Sequence, residues 1–347
     1  MTRISEYFNS TRVNYSTLKQ LWDPKWIFIK KNKDDKTHLR VGSYLDCLLS
    51  DPESAKNDFI YFKGKRPTGK MLTFVDNLPL SLQFRDKDIL FYLDAYKRSN
   101  YVNKIEKVIS NFLANSNAVS YYLYRVNSVG KVIIDEDEFL TAQKLKKSFL
   151  ENPYIKKYFN PYEDEINIFY QIPIYFTYKE VECKGLLDGL YIDHRRKELY
   201  IFDIKTTGRS ISKFPSQVLQ FSYYIQASMY ETALKNLISS LKLDKKGGAY
   251  TTHTELKKCL LKCLDYTVLN FRFVVASTVG NQPATVFIMT EEDLEKSREG
   301  GMIYDHYRKG VDELLDDYKW HISTRKWEYS KDYYLKKGIV PLNLFKT

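Results

Sequence analysis

Between Glu182 and Thr207 the chain reads ECKGLLDGLYIDHRRKELYIFDIKTT, two apolar runs around a polar break. Leu186, Leu187, Leu190, Tyr191 and Ile192 make the first run apolar, Asp193 to Lys197 interrupt it, and Leu199 to Ile204 resume it. Short apolar runs flanking a polar turn predict a β-hairpin. Side chains alternate across a strand, so Asp203 and Lys205 fall on one face and Phe202 and Ile204 on the other. Hairpin pairing brings Asp188, on the first strand, beside Asp203. Two carboxylates and an ammonium amid apolar strands are costly to bury unless something compensates them. A divalent cation between the carboxylates, with the lysine beside a bound water, would do so.

Downstream, FPSQVLQFSYYIQASMYETALKNL (214–237) predicts a helix opened by Pro215 and Ser216, with Val218, Leu219, Ser222, Ile225, Met229, Ala233 and Leu237 as its buried stripe. Gln226 and Tyr230 are four apart and share a face, to which Tyr223 adds.

Asp188, fourteen intervening residues and then Asp203-Ile204-Lys205 resemble the PD-(D/E)XK nuclease superfamily in its D…DxK form. The flanking words CKGLLDGL and IFDIKTT, and the QxxxY in YYIQASMYETA, are most similar to the phage-type exonuclease branch, which includes the RecE and lambda exonucleases and the RecB nuclease domain. The resemblance implies an α/β fold: a restriction-endonuclease-like core, a central mixed sheet flanked by helices, with an N-terminal helical elaboration. It implies a metal-dependent exonuclease acting at duplex DNA ends. Asp188, Asp203 and the Ile204 carbonyl are then hard oxygen ligands suited to Mg²⁺, with Mn²⁺ as a substitute, rather than zinc. Lys205 would orient or deprotonate the attacking water or offset phosphate charge. Gln226 and Tyr230 would contact the scissile phosphate or hold Lys205. A 5′ to 3′ direction, a homo-oligomeric ring and a single-strand annealing partner are further implications of the branch.

Two positions depart from its pattern. Asp46, in the frame Gly42-Ser43-Tyr44-Leu45-Asp46, stands where the branch carries a histidine; it is either an oxygen ligand or a solvent-facing helical residue. Gln171 stands where a glutamate is usual. These departures keep a catalytically inactive DNA-binding module in view, and the same core also serves endonucleases.

A net charge of +11 and a pI near 9.1 suit a polyanionic partner such as DNA. GKRPTGK (64–70) fits a P-loop spacing superficially, but Met71 follows the lysine and Pro67 lacks an N–H. Lys65, Arg66 and Lys70 therefore read as a basic loop touching a DNA backbone, or as an inert surface loop, with Tyr223 as a further nucleic-acid contact. The four cysteines (Cys47, Cys183, Cys259, Cys263) are too few for a disulfide scaffold and fit a reducing compartment. They lack the tight C-terminal trio of the iron–sulfur nucleases, so no cluster is expected. The five histidines show no ligand or triad spacing and read as ordinary surface residues. With no signal peptide and no membrane-spanning run, the expected location is the cytoplasm (a host's, if phage-encoded), without a membrane partner.

No Gly/Pro-rich linker interrupts the chain, which reads as a single nuclease domain over 1–347: mainly helical at 1–160, catalytic sheet and QxxxY helix at 161–290, C-terminal helix and tail at 291–347. Helices are expected after an N-cap at Ser16, within 38–53, across 72–128 and at 136–150. Strands are expected at 165–178 and in a hairpin around Gly280-Asn281, and a single helix from Glu291 to Trp320. The lysine-rich insertion at 238–268 has no assigned role.

Overall fold

The structure, a computed structural model, describes residues 3–22, 37–160, 165–244, 247–280, 282–303 and 306–339. The chain forms two units, Asp35–Ser148 and a second made of Met1–Asp34 with Phe149–Thr347.

The 35–148 unit carries the helical expectations. Helices Gly69–Asn77, Ile89–Arg98, Ile105–Ala114 and Ser116–Asn127 surround an aromatic core of Phe74, Tyr92, Phe112 and Tyr122, and helix Thr37–Ser50 precedes them in the chain. Asp88 and Asn115 cap two of them by accepting the amides of Phe91 and Ala118. Two short parallel strands, β1 (Phe59–Tyr61) and β2 (Val132–Ile134), close the unit.

The second unit is built on a mixed sheet. Its strands are β3 (Ile166–Tyr178), β4 (Val181–Asp193), β5 (Glu198–Thr207), β6 (Tyr250–Thr251), β7 (Thr267–Val268), β8 (Arg272–Ser277) and β9 (Thr285–Ile288). They run in the order β6-β3-β4-β5-β8-β9, with β7 also pairing β5. β3 and β4 meet through Lys179-Glu180, both at positive φ (46° and 65°), the backbone twist a two-residue hairpin favours. β5 is antiparallel to β4 and parallel to β8. Two core layers result. On one face the helix Tyr223–Lys242 buries Ile225, Ala227, Met229 and Leu234 against Leu187, Leu190, Leu199, Ile201 and Phe273. On the other, Tyr158, Tyr191, Tyr200 and Phe202 pack ring on ring. The α/β architecture with a central mixed sheet flanked by helices is as the sequence led us to expect.

Local differences have local causes. Asn14, not Ser16, caps the first of the expected helices, its side chain accepting the Thr17 amide at 2.9 Å. The 214–237 helix is two, Phe214–Gln220 and Tyr223–Lys242, because Ser222 turns left-handed at φ 58°. The single helix expected from Glu291 to Trp320 is interrupted: Glu291–Glu299 stops at Gly300 (φ 93°), a small hairpin of β10 (Gly301–Ile303) and β11 (His306–Arg308) follows, and helix Val311–Thr324 resumes. A Cβ on Gly310 would lie 2.3 Å from the Gly300 amide nitrogen, so the hairpin closes by a backbone contact that only glycine permits. The 238–268 insertion supplies β6, helix Thr254–Leu260 and β7. Among the described residues no helix is long and apolar enough to cross a membrane.

Candidate active site

The site arises where two paired strands part. β4 and β5 pair from Asp193↔Glu198 to Gly189↔Phe202 and no further. At the last pair the Phe202 ring lies across Gly189, where a Cβ would sit 2.1 Å from the ring; only a residue without a side chain fits. The first half of β4 is met instead by the N-terminal segment: the Val13 amide donates to Glu182 O at 3.0 Å and the Lys184 amide to Val13 O at 2.8 Å. Lys184, buried within the strand, donates to the carbonyls of Tyr7 and Ser10, both at 2.7 Å, and ties that segment down.

At the parting, Asp188 and Asp203 each turn to partners beyond the β4–β5 ladder. The half-buried Asp188 accepts the Ile204 amide through Oδ2 at 3.0 Å, so a backbone donor on β5 is satisfied by a side chain of β4. Asp203 is 0% exposed. Its Oδ1 accepts from Gln226 Nε2 at 2.7 Å, and its Oδ2 is ion-paired with the Lys205 ammonium. That ammonium lies 4.8 Å from the centre of the Tyr223 ring. Burial by itself would favour neutral lysine, but Asp203 and then Asp188 outweigh it and raise the Lys205 pKa above its ordinary value. Gln226 is 3% exposed, and its other amide atom, Oε1, is buried with no hydrogen-bond partner. Tyr230, one helical turn on, packs against Gly185, where a Cβ would lie 3.2 Å from its ring. Burial pushes the Tyr230 hydroxyl well above its usual pKa, and the nearby Tyr7 and Tyr15 add to the shift.

The D…DxK and QxxxY residues thus converge: Asp188, Asp203, Ile204, Lys205, Tyr223, Gln226 and Tyr230 come from three elements to one place. Gln171 belongs to the same neighbourhood. It lies between the pairs Tyr170↔Gly189 and Ile172↔Leu187, across the strand from Asp188, and holds a left-handed φ of 49° within a strand. A glutamine there is uncommon, and such strain gathers at functional positions.

The remaining candidates lie in the helical unit. Asp46 is half-buried on helix Thr37–Ser50. Lys65 is exposed, 3.7 Å from Asp137, and Lys70 is exposed with its ammonium 2.6 Å from Asn100 O. Arg66 turns inward, donating to Ile133 O and lying 3.6 Å from buried Glu138.

Two features escaped the sequence. Tyr15 stands edge-on to Tyr230, ring centres 6.1 Å apart, and its hydroxyl helps to raise the Lys205 pKa; a lone tyrosine so far upstream carries no local signal. The histidines are also not all surface residues. His321 is fully buried and stacked on Trp327, and buried His253 caps helix Thr254–Leu260 through Nδ1. His194 lies against Cys259 and Cys263. An imidazole buries readily when its nitrogens find partners, which spacing along the chain does not reveal.

The donor set fits a hard divalent cation: two carboxylates, the backbone oxygen beside them and a buried amide oxygen without a partner. No family model matches the sequence, and no curated protein does. Among solved structures, a crystal structure from Eubacterium rectale bearing the name "Putative exonuclease" is similar over 98% of this chain and 86% of its own, with 10% identity and a TM-score of 0.42.

Proposed function

We propose that this chain is a Mg²⁺-dependent deoxyribonuclease of the PD-(D/E)XK kind that hydrolyses phosphodiester bonds at duplex DNA ends. The supporting observation is the assembly of buried Asp203 and Gln226 with half-buried Lys205 and Asp188 at the point where β4 and β5 separate. Asp188, Asp203 and the Ile204 carbonyl would hold the ion. When bound, Mg²⁺ supplies charge neutralisation at the phosphate and a more acidic water. Lys205, ion-paired with Asp203, serves as an electrostatic group that orients water and offsets phosphate charge. Gln226 fixes Asp203 and leaves its own oxygen to accept a hydrogen bond from that water. Tyr223, its ring centre 4.8 Å from the Lys205 ammonium, and Tyr230, one turn beyond Gln226, would help hold Lys205 and Gln226 in line. The net charge of +11 favours a polyanionic substrate.

The family resemblance extends the proposal to a phage recombination or DNA-processing role in the cytoplasm, with 5′ to 3′ digestion, a homo-oligomeric ring and a single-strand annealing partner. The test pairs a linear duplex with a covalently closed circle of the same sequence. Under Mg²⁺ the linear form should be degraded and the circle left intact. Linearisation of the circle would assign the site to an endonuclease, and no cleavage of either would leave a DNA-binding module.

A further inference from the structure

A second cluster of ligand atoms lies in the β4–β5 loop, apart from Asp188 and Asp203. His194 is the first residue of that loop, Cys259 is on helix Thr254–Leu260, and Cys263 is in the turn that follows it. One ligand atom from each lies within 4.8 Å of the others. The imidazole is oriented: Nε2 is 2.7 Å from Asn167 Oδ1, an oxygen that can only accept, so Nε2 carries the proton; Cys259 Sγ stands 3.9 Å from Nε2 and donates to the same oxygen at 3.4 Å. The lone pair of Nδ1 is then directed to the side where Cys263 Sγ stands at 3.8 Å and Tyr266 Oη at 3.0 Å. Around tetrahedral zinc, sulfur and nitrogen ligands are separated by about 3.5–4 Å, given bonds of about 2.3 and 2.0 Å. A histidine whose second nitrogen donates to an amide or carboxylate oxygen is the usual support of a metal-bound imidazole.

We infer that His194 Nδ1 and Cys263 Sγ, joined by Cys259 Sγ once its thiol gives up Asn167 Oδ1, bind a structural Zn²⁺, with Tyr266 Oη or a water completing the tetrahedron. Sulfur selects a soft ion and excludes Mg²⁺, so this centre and the carboxylate site take different metals. Binding replaces two thiol protons, released to solvent, with two metal–sulfur bonds. Its effect is to fasten the 238–268 insertion to the turn of the central hairpin. The chain uses the insertion at two sheet positions, β6 beside β3 and β7 beside β5, and the zinc would hold the segment between them. The inference does not depend on the nuclease proposal.

Full-length protein, purified under reducing conditions and washed with EDTA, should retain about one equivalent of zinc by elemental mass spectrometry. Co²⁺ in its place should show thiolate-to-cobalt charge transfer and the intense visible bands of tetrahedral coordination. Cys263→Ser and His194→Ala should lose the metal, and Asn167→Ala should keep the ligands but weaken affinity about 10–100-fold. Asp203→Ala should retain zinc in full, which separates this site from the other. Wild-type protein that retains no metal, a cobalt spectrum lacking sulfur charge transfer, or full retention by Cys263→Ser would each overturn the inference. The cobalt spectrum is read on the wild type, so a poorly folding variant cannot obscure the result.

Discussion

At the scale of single residues the account turns on Lys205. Its pKa is raised from 10.5, so the ion pair with Asp203 is complete below that value and is lost only as pH climbs through the higher one. The pH–rate profile should therefore show no descending limb from this lysine between neutrality and about pH 10. Lys205→Arg should keep that flat basic side while lowering the rate, since guanidinium reproduces the charge but not the ammonium's placement. A rate that rises with pH on the basic side in wild type and stays flat in Lys205→Arg would show that the lysine must lose its proton and serves as a base. These residues were legible beforehand because two acids and a lysine in the middle of apolar strands stand out against their neighbours. Tyr15 and the pairing of His194 with Cys259 and Cys263 were not, because each is assembled from segments far apart in the chain.

At the scale of elements, the site exists because β4 and β5 separate, and Gly189 is where they do so. Gly189→Ala would press a methyl into the Phe202 ring, displacing either the ring or the strand. We expect a loss of about 1–3 kcal/mol in urea unfolding, with activity falling further than stability because Asp188 is the adjacent residue. The double change Gly189→Ala with Phe202→Leu should recover part of the stability; no recovery would mean that the ring is not the obstacle. The hairpin and the QxxxY helix were legible from periodicity. The break at Ser222 was not, since serine is a common helix residue, whereas Gly300-Gly301 is a turn signal that the helical reading of 291–320 passed over. Backbone strain at Gln171 likewise has no sequence mark, since glutamine is not a residue that announces a left-handed φ.

At the scale of the whole molecule, the N-terminal segment completes the sheet unit. Val13 bridges β4 at Cys183, and the buried Lys184 ammonium is satisfied by carbonyls of Tyr7 and Ser10. Removing residues 1–14 would leave that charge without its acceptors and expose half of one β4 edge. Truncated protein should melt at a lower temperature and lose nuclease activity, whereas truncated Lys184→Met should regain stability without activity. Equal melting of truncated and intact chains would show that the segment contributes nothing. The basic net charge, legible from composition, is a property of the entire surface and bears on the partner rather than on the fold.

The most direct measurement is cleavage of end-labelled linear duplex with Mg²⁺ titrated in, comparing wild type with Asp203→Asn, which keeps the side chain's shape and removes its charge. Wild type should show cleavage that rises with Mg²⁺ and is abolished by EDTA, and the variant at least about a thousandfold less at every concentration. Equal cleavage by both proteins, or none by wild type under either Mg²⁺ or Mn²⁺, would contradict the account.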